Sequence, residues 1–374
     1  MILILFSFTF VSMVGGNPAK DAYGFRHWKE PYGGPFAEYL TTGSLGRFEG
    51  FLGAVWAASF CIVGPEYISM VSGEAKRPRV YIKNAFKTVY IRFGLFFILG
   101  ALCVGIVCAS NDPTLVAILS GEGSGAGTGA ASPYVIAMKN LAIPVLPHVT
   151  NALLVTSIFS AGNTYTYCAT RSLYSLAIEG RAPKILRKCT KNGVPIYCFG
   201  ITMLFPLLSF LSVSSSSAKV LTWLVSLITA GGIIDYIVMC ATYIAFYKAC
   251  KAQGVDRNTL PYTGYFQPYS AYIGLVALTC VVLAYGYAVF LPGNWTIEDF
   301  LFSYLMVGAA PVMFVAWKLI KRTKWKRAHE VDLVWEAPLI DAYEASFLSP
   351  PVGFWTEMVQ LVGFKRNLAI DKRV

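Results

Sequence analysis

One apolar run limits what this chain can fold into more than any other. From Gly50 the residues begin a helix long enough to enter a bilayer, and near its middle stands Gly64-Pro65-Glu66. Proline has no backbone N–H and collides with the preceding turn, so it breaks or kinks a helix. Glycine lowers the resistance to unwinding. A glutamate at membrane depth is expensive and marks a functional position by default. The apolar residues then resume and end in a basic cluster, Lys76, Arg77 and Arg79. A broken span is tolerated only where its loosened backbone faces protein or a water-filled cavity. Secondary transporters build substrate sites from such breaks.

The rest of the chain repeats the apolar theme. Only 14% of its 374 residues are charged and 56% are hydrophobic, whereas soluble domains carry about 25% charged residues. A soluble enzyme is excluded, and the fold class expected is an all-α polytopic membrane protein. About eight spans are expected over residues 1–320. They begin with a partial one at 1–14, then the broken one at 51–72. The others fall near 89–109, 143–178, 195–213, 221–246, 271–290 and 299–320. Residues 17–50 read as a Gly-, Pro- and aromatic-rich surface loop. The run Gly121–Gly129 reads as a flexible loop, and Ser214–Ser217 as the stop of a span. A tail, 321–374, carries amphipathic pieces at 338–347 and 352–364. The net charge of +11 reads as basic cytoplasmic loops, not as affinity for nucleic acid. The loops after the second, fourth and sixth spans and the tail hold most of the 31 Lys and Arg, and the alternating loops hold six. This bias places the tail in the cytoplasm.

Three constellations could carry chemistry. The first is the break itself. The freed N–H and C=O groups of Cys61, Ile62, Val63, Gly64, Pro65 and Glu66 suit the charged ends of a zwitterion, because half-helix ends carry partial charges of opposite sign. Glu66 is either a structural acid that bonds the loosened backbone or a proton carrier beside the substrate. The second is a polar face at 160–167. Ser160, Asn163, Thr164 and Tyr167 recur at i, i+3, i+4 and i+7 and so share one side of a helix. They serve either interhelical hydrogen bonds or a site wall. The third is Asp235, which follows Gly231-Gly232, a pair able to ease a bend. It is a cavity-wall residue, a coupling acid or a partner for a neighbouring helix. Nothing points to a metal: the nine cysteines contain no C-x-x-C pair and the three histidines are scattered. No phosphate-binding loop and no nucleophile–base spacing appears, so enzymatic chemistry is not expected. The basic turn at 181–188 reads as a solvated loop.

Together these stretches resemble a family. Gly64-Pro65-Glu66 followed by Ser72-Gly-Glu-Ala-Lys-Arg-Pro-Arg-Val-Tyr-Ile is similar to the sixth helix and following loop of amino acid permeases. Ser160-Ala-Gly-Asn-Thr-Tyr-Thr-Tyr through Arg181-Ala-Pro is similar to their eighth helix. Thr242-Tyr-Ile, Asn258-Thr-Leu-Pro-Tyr and Val334-Trp-Glu-Ala-Pro resemble the fungal members. The resemblance implies the LeuT-type fold of the amino acid–polyamine–organocation superfamily, here only in part. The second inverted repeat and two extra helices are present, and the first four helices are missing. It implies an amino acid substrate, protons as the coupling ion through Glu66 or Asp235, the lipid bilayer as partner, the plasma membrane as location, and no cofactor. Because the break's expected partner in the first helix lies outside this chain, an inactive or regulatory permease fragment is the alternative. A seven-span receptor is the more distant rival, opposed by the break and by a cytoplasmic start.

Overall fold

In a computed structural model of the protein, residues 1–119, 132–213, 217–347 and 356 are described. The expectations for Gly121–Gly129, Ser214–Ser216 and 352–364 lie outside those residues. The described chain is nearly all helical, and thirteen α-helices occur in it. Five helical segments are long and apolar enough to cross a membrane: Gly43–Met70, Pro78–Val107, Trp223–Ala252, Tyr269–Phe290 and Ile297–Lys321. Two shorter apolar helices, Ile2–Met13 and Ile196–Phe210, fall at the first and fifth expected spans. The fourth is a 33-residue helix, Leu146–Ile178. Its polar residues keep it out of the long apolar set. The broken span begins earlier than expected, at Gly43. Glu49, buried at 6% exposure, explains this. Its carboxylate accepts the N–H and hydroxyl of Thr41, at 2.9 and 3.0 Å, and so ties the preceding loop to the first turns.

The described residues form two compact units. The first holds Met1–Ile62 and residues from Ile91 to Ser226. Its helices are α1 (Ile2–Met13), α2 (Gly43–Ile62), then α5 to α9. A π-helical stretch, Phe93–Ile98, leads into α5 (Leu99–Val107). Helix α6 (Pro113–Leu119) precedes residues 120–131 and α7 (Pro133–Asn140) follows them. Leu5 and Phe8 of α1 pack with Ile106 of α5 and with Ile136 and Met138 of α7. The loop after α1 is fixed by polar contacts. The Asn17 amide donates to Ser12 O at 2.9 Å, and His27 Nδ1 lies 2.7 Å from Ile106 O. Trp28 packs against Gly105, where an added Cβ would sit 2.8 Å from the indole. At the other end α8 (Leu146–Ile178) turns into α9 (Ile196–Leu204) around Ala177, Leu186 and Cys198. The basic turn there is more than a solvated loop: Arg187 Nε donates to Ala177 O at 2.6 Å. A cation capping the last carbonyls of a helix satisfies groups that have no intrahelical partner.

The second unit holds Val63–Tyr90 and the described residues from Leu227 onward. It comprises the short α3 (Tyr67–Met70), most of α4 (Pro78–Arg92), most of α10 (Ser217–Ala252), α11 (Tyr269–Ala284), α12 (Ile297–Lys321) and α13 (Ala337–Ala345). Helix α10 stays helical through Gly231-Gly232. The start of α12 is set by Thr296, whose hydroxyl oxygen accepts the N–H of Asp299 at 3.2 Å. This is the expected use of a threonine before a helix. Tyr304 of α12 donates to Leu283 O at 3.1 Å and presses on Gly286, where a Cβ would lie 2.4 Å from the ring.

Candidate functional site

Helix α2 stops at Ile62, and the backbone leaves helical geometry at Val63 and Gly64. Gly64 has φ +134°, a conformation that L side chains rarely adopt and glycine enters without a steric penalty. Pro65 follows and offers no N–H. The chain recovers through short turn bonds, Tyr67 N–H to Gly64 O at 3.0 Å and Ile68 N–H to Pro65 O at 3.1 Å, and enters α3. The break expected at Gly64-Pro65-Glu66 is therefore present as an interruption between two helical pieces.

Glu66, half-buried, folds its side chain back over the interruption. Its Oε2 accepts the Gly64 N–H at 3.0 Å. Tyr236 of α10 donates its hydroxyl to the same oxygen at 2.5 Å, and the Gly64 N–H is shared with the Tyr236 oxygen at 3.2 Å. The three groups form a closed ring. Hydrogen bonds to a charged acceptor are shorter and about twice as strong as neutral ones. Glu66 Oε1 has no hydrogen bond among the described residues. The chain approaches α10 closely at the same place. A Cβ on Gly232 would sit 2.7 Å from a Val63 methyl, so only glycine leaves room for Val63 there. Gly232 and Tyr236 are four residues apart and thus on one face of α10. One glycine admits the interrupted segment and one tyrosine holds its carboxylate.

Tyr236 stands beside Asp235, the residue expected from the sequence at this place, and it is Tyr236 that meets the break. Asp235 is exposed and makes no hydrogen bond among the described residues. The signal for Tyr236 lay in the spacing from Gly232, not in an acid at depth. Of the other expected site residues, Val63, Gly64, Pro65 and Glu66 belong to the second unit, whereas Cys61, Ile62, Ser160, Asn163 and Thr164 belong to the first. Cys61 is exposed with a free thiol. Ser160, Asn163 and Thr164 are all exposed. Thr164 turns its hydroxyl back to Ser160 O at 3.0 Å, within its own helix, and no hydrogen bond joins this face to another described helix. Tyr167, on the same face, carries the Arg171 guanidinium 5.5 Å from its ring centre. The first unit also contains a cavity of about 260 Å³, lined by His27, Trp28, Val104, Gly105 and Cys108 among others. It includes no residue of the break. No group of three or more His, Cys, Asp or Glu able to hold a metal occurs among the described residues.

A chain with this many long apolar helices is an integral, multi-pass membrane protein. The amino acid permease family profile matches residues 1–330, and the chain belongs to that family. It is 46% identical over 352 residues to the general amino acid permease AGP2 of Saccharomyces cerevisiae, covering 92% of this chain and 58% of that protein. It is 40% identical to the proline-specific permease of Emericella nidulans, covering 86% of this chain and 58% of the relative. The dicarboxylic amino acid permease of Saccharomyces cerevisiae is 37% identical, with coverages of 89% and 54%. The chain thus spans somewhat more than half the length of these relatives. No solved structure matches it.

Proposed function

We propose that this chain takes part in carrying amino acids across the plasma membrane by proton-coupled alternating access, with the interruption at Val63–Glu66 as its substrate-facing element. The observation that supports this most is the Gly64–Glu66–Tyr236 ring at a helix break in a member of the amino acid permease family. The family's LeuT-type arrangement, with residues 1–320 as the membrane domain and 321–374 as a cytoplasmic tail, is part of the same reading. Glu66 Oε2 is engaged by two donors. Oε1 is the atom left to take a proton or the ammonium group of a substrate. A proton on Glu66 removes the charge that strengthens both bonds, so the ring loosens and the interruption is released to move. A substrate ammonium against Oε1 keeps the charge balanced and the ring closed. Ser160, Asn163, Thr164 and Asp235 are proposed as wall or coupling positions.

The relatives' names cover general, proline and dicarboxylic amino acid transport, so the test is a panel. Cells expressing this chain are given labelled proline, glutamate, lysine and leucine at external pH 5 and 7. The reading expects uptake of at least one, faster at pH 5, with Glu66→Gln removing the pH difference. No uptake by a chain that reaches the membrane overturns it. That result favours a second reading, prompted by the span of 58% of the relatives' length. In it the chain associates with a full-length permease and regulates it, and uptake by a co-expressed permease would change.

A further inference from the structure

The basic cluster after the break is not a bare solvated loop. Helix α4 begins at Pro78 with Arg77 before it, so no Ser, Thr, Asp or Asn caps its first turn. The acceptors come instead from α13, more than 250 residues later. Arg79 N–H donates to Glu344 Oε1 at 2.9 Å, and the Arg79 guanidinium bonds Asp341 and reaches Ala337 O at 3.3 Å. Ala337, Asp341 and Glu344 lie at i, i+4 and i+7, one face of α13. Arg77 donates to Phe347 O at 2.9 Å and lies 5.7 Å above the Phe347 ring, which is 7% exposed. Both carboxylates sit at the positive end of the α4 dipole, where negative charge is stabilising. The connection from α12 to α13 is pinned as well: Gln253, at the end of α10, donates to Ala328 O and Val331 O at 3.1 and 2.7 Å.

We propose that residues 328–347 form an autoinhibitory strap that clamps the start of α4 and thereby restrains the segment 67–77 immediately downstream of the break. Its grip is polar and reversible. It holds the segment on one side of the motion that the interruption makes, and releasing it speeds that motion. The restraint stands on contacts alone. Its effect on transport rests on the function proposed above.

The test uses the full chain in lipid nanodiscs and in cells. In D341K/E344K, amide exchange over residues 67–80 is expected to quicken about tenfold, and in the charge-swapped R79E/D341K, where Glu344 still accepts the N–H of residue 79, to stay within about threefold of the parent. The maximal uptake rate is expected to rise at least about threefold in D341K/E344K and to stay near the parent's in R79E/D341K, with KM moving less. Unchanged exchange in D341K/E344K overturns the strap. Faster exchange with unchanged uptake kinetics overturns its control of the gate. If D341K/E344K does not reach the membrane, D341A/E344A, which removes both acceptors without adding charge, is measured in the same two ways and judged by the same outcomes. If the parent chain takes up nothing, the transport reading fails while the exchange result still decides the restraint.

Discussion

At the scale of single residues, the break depends on two glycines for different reasons. Gly64 is needed for its backbone: nothing closer than 3.9 Å would meet a Cβ there, but its φ is +134°. Gly232 is needed for space, because Val63 fills the volume a Cβ would occupy. Its neighbour Gly231 has Met306 Cε at 3.4 Å as the nearest atom, the end of a flexible side chain. The two α10 glycines should therefore separate on substitution. Gly232→Ala is expected to push Val63 away and lose most uptake, with a stability cost of about 1–3 kcal/mol from overpacking. Gly231→Ala is expected to be neutral or slightly stabilising, since alanine is the better helix former by about 1 kcal/mol. Uptake and thermal unfolding of the two purified variants check this. Equal behaviour would mean that Val63 does not approach α10 as described.

At the scale of elements, the long apolar helices were legible because length and hydropathy are properties of a stretch. The ends were less so. The start of α2 at Gly43 depends on Glu49 reaching back to Thr41, and hydropathy is blind to such a contact. Tyr236 was hidden because its partner is 170 residues away, and an acid at membrane depth drew the reading to Asp235. Gly231-Gly232 suggested a bend, whereas the helix continues and Gly232 makes room. The basic cluster 76–79 obeyed the positive-inside pattern, which concealed its specific partners in α13. The turn after α1 shows the same point with a sign that can be checked. Asp21 receives both Arg26 nitrogens, at 2.9 and 2.5 Å, and this holds its carboxyl below the usual range. A depressed carboxyl contributes stability above its ordinary pKa and loses it as pH falls through the folded value. The difference in exchange protection of residues 17–28 between the parent and Asp21→Asn should thus be full at about pH 6, shrink once pH falls below the ordinary aspartate value and vanish only below the lowered folded value. A difference that persists there would point to packing and not charge.

For the whole molecule, the question is what covers its surface. In the five long apolar helices only 0–22% of the most apolar window is buried within the chain. Lipid can cover such faces, because hydrocarbon is as apolar as leucine and supplies no drive to bury them further. It cannot cover Ser160 and Asn163, which are exposed on α8 and share a side with Thr164, whose hydroxyl is already bonded within the helix. Polar groups without partners in hydrocarbon cost several kcal/mol each. That side must meet water or further polar protein, while the opposite side, with Val155 and Ile158 at 66% and 69% exposure, suits lipid. Cysteine substitutions separate the two. At positions 160, 163 and 164 a charged, membrane-impermeant thiol reagent should label well above the background of the native cysteines. At 155 and 158 it should not, and an excess of substrate amino acid should slow labelling at the first three. Equal labelling of both sides would remove α8 from the site wall. Labelling of the polar side that no amino acid slows would make that side a water-facing surface and leave the substrate with the interruption at Gly64–Glu66 alone.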